Sequence, residues 1–226
     1  MHTLLIRLAG PLQAWGTQSH FQIRETGTEP SKSGVVGLLA AALGRDWSVD
    51  VNDIAALRMG VRVDQEGELV QDFQTIHDVR CANGNLKPTE ISTRWYLGDA
   101  RFLVALTGDD LVFLQSLHAA LRNPVWPLYL GRKACVPSEP PYLPDGLREE
   151  TDLREALQSY PWLGRRNGQN LRLVYETADG TEVRVDQPVN NFVRRGNGPR
   201  RTTTLFIPYP MEATDVGLTS DAQPAQ

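Results

Sequence analysis

The sequence predicts an α+β fold whose first 140 residues form a split β-α-β-β-α-β unit, followed by a small, mostly-β C-terminal domain over residues 145–211. Three observations carry this reading. Residues 3–8, 58–64 and 101–107 have the apolar runs or alternation of strands. Between and after them, residues 32–43 and 109–122 have helical starts and apolar faces. A proline-rich stretch, 137–144, reads as a linker before a second group of strands.

The elements follow in order. Residues 3–8 are interrupted only by Arg7 and stopped by Ala9-Gly10-Pro11, which suits a strand buried in a sheet. Leu12 to Gly16 then leads into a polar segment, 17–30, that holds His20, Phe21 and Arg24; loops of this length without periodicity are usually functional. Gly27-Thr28-Glu29-Pro30-Ser31-Lys32-Ser33-Gly34 opens the first helix. Ser31 or Ser33 can cap its free N–H groups, the run Val35 to Leu43 supplies a buried face, and Gly44 sits where a left-handed C-terminal residue belongs.

Arg58 to Asp64 alternates as a half-buried strand, and Leu69 to Val79 returns as a longer, more polar one. From Arg80 to Tyr96 the pattern breaks around Asn83-Gly84-Asn85, so residues 80–96 read as a protruding hairpin or loop. Asp109-Asp110 caps the second helix, with Leu111, Leu114, Leu117, Ala120 and Leu121 on one face. A final strand near residues 126–130 would complete the unit, placing two helices on one sheet face and leaving the other free, the face that RNA-binding sheets of the RRM type use. Residues 147–157 read as a short helix, Ala178-Asp179-Gly180-Thr181 as the turn of a hairpin, and 203–207 as a last strand. The small, polar tail 212–226 reads as disordered.

Composition narrows the function classes. The net charge of −4 announces no polyanion partner, so any nucleic-acid site must be a local patch. Only Lys32, Lys87 and Lys133 are lysines; the other basic residues are arginines, suited to bidentate phosphate contact and base stacking. Cys81 and Cys135 are too few for a disulfide framework or a structural zinc site. The short N-terminal apolar run fits no signal peptide and no stretch approaches a membrane span, so a cytoplasmic protein without membrane contact is expected.

The candidate sites are phosphate and base contacts. Ser31-Lys32-Ser33 at a helix start offers N–H groups, the positive dipole end and an ammonium in one place, though a capped core helix with an exposed lysine reads equally well. The segment fails as a P-loop because Lys32 comes immediately after the four residues that follow Gly27, with Ser31 in place of the second Gly. Tyr129-Leu130-Gly131-Arg132-Lys133, following Trp126, pairs aromatics with cations as single-strand RNA sites do; its plain alternative is an exposed turn. The arginines 194, 195, 200 and 201 form a further basic run, either a solvated loop or an RNA or protein contact. His2, His20, His77 and His118 have no partners at metal-ligand spacing; His77 is the best acid–base candidate, at a strand end. No metal and no cofactor are expected.

Arg7-Leu8-Ala9-Gly10-Pro11-Leu12-Gln13-Ala14-Trp15-Gly16, Lys32-Ser33-Gly34, Ile76-His77-Asp78-Val79 and Tyr129-Leu130-Gly131-Arg132-Lys133 occur together in this order. That set resembles the CasD-type subunits of the type I-E CRISPR Cascade surveillance complex, from Met1 to about Pro140. The resemblance implies a ferredoxin-like, RRM-like domain with an inserted thumb and a smaller C-terminal domain. It also implies a non-catalytic subunit that holds the 5′ handle of the CRISPR RNA beside a backbone subunit and a large PAM-reading subunit. Target DNA would be met through the assembled complex. A related subtype's subunit cleaves RNA with a Tyr, a Lys and a His, a trio that does not map onto adjacent positions here.

Carried onto this chain, Arg24, Ser31, Lys32, Ser33 and Gly34 would hold handle phosphates, and Trp15 with Tyr129, Gly131, Arg132 and Lys133 would shape the handle pocket. Arg80, Lys87 and Arg94 would make the thumb basic. Two alternatives stand beside this reading: a metal-independent endoribonuclease of the same fold that processes repeat RNA, and a free-standing nucleotide-binding protein.

Overall fold

Two sheets organise the chain, a seven-stranded one and a four-stranded one, in a computed structural model that describes residues 1–17, 22–164, 170–193 and 196–208. His20, Phe21, Arg194, Arg195 and the tail from residue 212 lie outside the described residues. The large sheet begins with β1 (His2–Ala9), β4 (Arg58–Gln65) and β7 (Arg101–Gly108), with β7 between the other two and antiparallel to both. The helices α1 (Lys32–Ala42) and α3 (Leu111–Arg122) pack against one face of these strands. Leu4, Ile6 and Leu8 of β1, Met59, Val61 and Val63 of β4, and Phe102, Val104 and Leu106 of β7 meet Val35, Leu39, Leu114, Leu117 and Leu121 there. Each such aliphatic side chain contributes about 1.5–3 kcal/mol when fully buried.

The fourth position beside β1 is not taken near Trp126, where the backbone forms turns and not a strand. It is taken by β8 (Leu147–Arg148), which pairs antiparallel with Thr3 and Leu4. The proline-rich stretch is therefore no linker between domains: Arg7 N–H donates to Pro141 O and Ser138 N–H to Ala9 O, which lays it along the end of β1.

The second face of the sheet is not free. The helix α4 (Leu153–Ser159) covers it, packing Leu153, Ala156 and Leu157 onto Leu5, Leu103, Ala105 and Leu173. Helix formation over residues 147–157 is confined to this part, started by Asp152, whose carboxylate accepts from Arg154 N–H. β1 is apolar at consecutive positions, as strands buried on both faces are, which is the physical reason for this second layer. β4 likewise is buried on both faces, not half-buried.

Arg62 of β4 shows what this costs and how it is met. Its guanidinium is fully buried and pairs bidentately with Asp64, at 2.6 Å and 2.8 Å. It also donates to the carbonyls of Leu157, Tyr160 and Pro161, closing the end of α4.

The C-terminal third adds to the same sheet and does not form a separate domain. β9 (Leu171–Glu176) pairs with β4, and β11 (Asn197–Ile207) lies between β9 and β10 (Glu182–Pro188). β9 and β10 are thus not a hairpin, although a turn connects them. Gly180 in that turn lies so close to Thr202 that a Cβ would sit 2.6 Å from its backbone nitrogen. The final order is β10-β11-β9-β4-β7-β1-β8.

The smaller sheet projects from this body. β5 (Glu68–Arg80) and β6 (Leu86–Gly98) form a hairpin of two 13-residue strands closed at Cys81–Asn85, so the protrusion spans 68–98 and not 80–96. Pairing lapses at Asp78, which has φ +54° and faces Pro88, a residue with no N–H to give. Short strands β2 (Leu12–Gln13) and β3 (Ile23–Arg24) pair with β6 and root the hairpin. A brief helix, α2 (Asn52–Ala55), precedes β4, and no helix of the described residues is long and apolar enough to cross a membrane.

Replacing Arg62 by Ala leaves Asp64 charged, buried and unpaired, and three carbonyls without donors. The expected loss is ~3–5 kcal/mol, measured as a lower urea midpoint with an unchanged denaturant slope.

Candidate nucleic-acid interface

Helix α1 starts as its sequence requires. Ser31 is the N-cap and its hydroxyl accepts from Gly34 N–H at 3.3 Å. At the other end Gly44 has φ +71°, and the N–H groups of Gly44 and Arg45 return to the carbonyls of Ala41 and Ala40.

The expected phosphate seat at that start is closed. Lys32 is 2% exposed, and its ammonium lies 2.9 Å from Glu176 of β9. Its backbone N–H donates to Asp186 of β10 at 2.9 Å. Arg200 of β11 completes the set, holding Asp186 at 2.5 Å and 2.8 Å and Glu176 at 3.2 Å. Burial pushes the Lys32 ammonium below its ordinary value, and the Glu176 carboxylate works against that push. Lys32 therefore ties the first helix to the C-terminal strands instead of facing an RNA phosphate. The basic run near residue 200 is part of the same tie: Arg200 is buried in β11, while Arg201 is exposed and donates to Gly180 O.

Glu29, just before the helix, is held by Arg172 and Arg184. Burial pushes its carboxyl up, but the hydrogen bond from Arg172 and the charges of Arg184 and Arg172 outweigh this and leave it below its ordinary value.

Along another side of α1 runs a groove of about 630 Å³. Ser33, Gly34, Gly37, Leu38, Ala40 and Ala41 contribute from the helix; Trp126, Pro127, Tyr129, Gly131 and Lys133 come from the segment after α3. Arg45, Trp47 and Phe192 also line it, and among the described residues the lining contains no carboxylate. Backbone bonds build it. The N–H groups of Val125 and Trp126 donate to Ala42 O and Ala41 O at the end of the helix, Ala41 O being shared with Gly44 N–H. Phe192 N–H donates to Trp47 O at 3.1 Å, stitching two distant loops together.

Ser33, Gly34, Tyr129, Gly131 and Lys133 are thus brought together in one groove. Trp15, Arg132 and Arg24 are placed differently. Trp15 is buried under the helix start, donates to Gln13, and lies so near Gly34 that a Cβ there would meet its ring at 2.8 Å. Arg132 stacks over Tyr96 and donates to the carbonyls of Trp95, Arg24 and Glu25, so it fixes the root of the hairpin. Gly131 has φ +87°, and a Cβ would fall 1.8 Å from Ala14 O; glycine is required there for close passage of the backbone. Arg24 is exposed on β3 beside Arg94 of β6.

The hairpin is not basic overall. Glu68, Asp72, Asp78 and Glu90 offset Arg80, Lys87 and Arg94, and Lys87 is paired with Glu90. Its exposed residues include an apolar row: Leu69, Phe73 and Ile91 share one face and are 58%, 63% and 48% exposed.

No described histidine lines the groove. His118 bonds Leu143 O and packs on Tyr142, His2 accepts from Glu150 N–H, and His77 lies on the hairpin near Thr89. Among the described residues no group of three or more His, Cys, Asp or Glu is placed to hold a metal. Sequence reasoning missed Glu176, Asp186, Arg45, Trp47 and Phe192. Isolated aromatics in polar loops, as in Asp46-Trp47-Ser48 and Asn190-Asn191-Phe192, were the available signal.

A carboxylate whose folded pKa lies below its unfolded one adds stability that is complete above the unfolded value and vanishes as pH falls through the folded value. Unfolded Glu29 titrates near 4.5. Glu29→Gln is therefore expected to be less stable than the parent at pH 7 and to lose less on acidification below about 4.5. Chemical denaturation at a series of pH values measures both.

Likenesses to known proteins bear on this architecture. Residues 3–203 match the family model for CRISPR-associated protein (Cas_Cas5). The CRISPR system Cascade subunit CasD of Escherichia coli (strain K12) is 35% identical over 179 residues, covering 71% of this chain and 78% of that one. A crystal structure of a Cas protein is 49% identical with a TM-score of 0.76, covering 91% of this chain and 95% of that one. A chain of a CRISPR RNA-guided surveillance complex is 32% identical with a TM-score of 0.76, covering 92% and 91%. The ordered motifs at residues 7–16, 32–34, 76–79 and 129–133, the sheet they build and these matches agree: the chain belongs to the CRISPR-associated Cas5 family.

Proposed function

We propose that the protein is an RNA-holding, non-cleaving subunit of a CRISPR RNA-guided surveillance ribonucleoprotein. The observation that carries this is the groove along α1, which gathers aromatics and Lys133 and, among the described residues, no carboxylate, in a chain of net charge −4. Such a local site suits a single-stranded polyanion, with cations for the phosphates and rings for the bases. The RNA would be the 5′ handle of the CRISPR RNA, and the neighbours a backbone subunit and a large PAM-reading subunit. Target DNA would be met through the complex. The likeness to the Cascade subunit CasD and to a surveillance-complex chain supports this placement.

The scaffold under the groove is best read as a ferredoxin-like unit: the order β8-β1-β7-β4 with α1 and α3 on one face is the split arrangement expected of it. α4 occupies the sheet face that an RRM would offer, so the RNA is assigned to the helix side. The β5–β6 hairpin would act as a thumb, wedging by its apolar face of Leu69, Phe73 and Ile91 rather than by charge.

Binding without cleavage is the reading the sequence favours, since the Tyr, Lys and His of a cleaving site do not map onto adjacent positions; among the described residues Tyr129 and Lys133 line the groove with no histidine beside them. Incubating the protein with repeat RNA in EDTA tests this. Shifted but intact RNA is expected, and clean site-specific products would establish the endoribonuclease instead. Lys133→Ala is expected to weaken handle binding and to reduce the salt slope by about one, read by filter-binding titration at several stated salt concentrations.

A further inference from the structure

We propose that Arg132 is a positioning residue that sets the stance of the β5–β6 hairpin relative to the groove, so that one RNA strand engages both at once, and that it does so without touching the RNA. This rests on the reading that the chain holds guide RNA, and it assigns the residue that aligns the two surfaces. The hairpin leaves the large sheet through the short connections 66–67 and 99–100, and the only strands beside it among the described residues are β2 and β3, of two residues each. β3 lies parallel to β6 through Ile23 and Arg24 alone, and both are exposed. The Arg132 guanidinium spans that pair. One terminal nitrogen donates to Trp95 O of β6 at 3.0 Å and the other to Arg24 O and Glu25 O at 3.0 Å and 3.2 Å, with the Tyr96 ring 4.8 Å away. Its own backbone belongs to the body: Leu130 and Cys135 are buried, Leu130 O accepts from Ala14 N–H, and Gly131 presses so closely on Ala14 that the loop cannot slide. With both terminal nitrogens given to carbonyls and one face to a ring, little of this cation is left for a phosphate. The carbonyls of Arg24 and Glu25 lie at exposed residues, where water can replace a lost donor, unlike the buried Leu157 and Tyr160 bonds that Arg62 makes. Loss of Arg132 therefore loosens the hairpin without unfolding the body, and two contacts on a loosened frame no longer reinforce each other on one strand.

The hairpin turn carries Cys81, partly exposed, while Cys135 is 1% exposed, so a spin label can be placed at the hairpin tip and paired with a second at Gln115→Cys, an exposed position on α3. Distance measurement between the labels in the full-length protein is expected to give one narrow distribution in the parent and a broader, displaced one in Arg132→Ala, with the urea midpoint unmoved. Arg132→Lys should stay broad, since one ammonium does not span two chains as a planar fork does. Filter binding at fixed salt then compares a handle oligonucleotide short enough to fill only the groove with the same handle extended into the guide. Extension should strengthen binding to the parent by at least about five-fold, the low end of coupling between two sites. Arg132→Ala should lose that gain while binding the short RNA as the parent does. An unchanged distance distribution in Arg132→Ala would overturn the proposal, as would an extension that adds nothing in the parent. Equal weakening of both RNAs would make Arg132 a phosphate contact and overturn it too, and so would a urea midpoint as low as that of Arg62→Ala in both Arg132→Ala and Arg132→Lys. Failure of the parent to bind either RNA would overturn the RNA-holding role and this proposal together, whereas the distances by themselves overturn only the proposal.

Discussion

The constraint on which the remaining structure depends is the closure of α1 by the C-terminal strands. Lys32, Glu176, Asp186 and Arg200 bring charges from the helix and three strands into one buried cluster, and each charge there has a partner of opposite sign. Isolated, any of them would be costly to bury, so the cluster holds only if β9, β10 and β11 sit where they do. The helix dipole is thereby satisfied from within the chain, by Asp186. What remains open is the flank of α1, and the flank carries the groove.

A second consequence comes from the sheet. Leu5, Leu103 and Leu173 point away from α1 and α3, and they need cover as much as Leu4, Val104 and Leu106 do. α4 supplies it, and Arg62 with Asp64 fixes the end of α4 to β4. A four-stranded core that might have displayed one face to a ligand is thus a middle layer. The open surfaces lie at edges: the groove beside α1 and the hairpin that rises from β4 and β7.

The hairpin and groove are also mechanically joined. Arg132 lies one residue from Gly131 in the groove wall and bonds the carbonyls of Trp95, Arg24 and Glu25 at the hairpin root. A guanidinium is suited to this, since its planar fork reaches several carbonyls at once. Such a link keeps the hairpin and the groove in one frame.

Much of this was legible in the chain itself. Period and punctuation located β1, β4, β7, α1 and α3, because apolar spacing and caps such as Ser31, Asp110 and Gly44 act locally. The motif order at residues 7–16, 32–34, 76–79 and 129–133 pointed to the family, and Ser33, Tyr129 and Lys133, singled out from their chemistry, line one groove. Tertiary structure alone decided the rest, for one reason: which charge meets which partner depends on strands that are distant in sequence. Lys32 could not reveal that Glu176 would neutralise it, nor Arg132 that carbonyls would absorb it. The adjacency of β9 and β10 in sequence likewise hid β11, which enters between them only once the whole sheet is assembled.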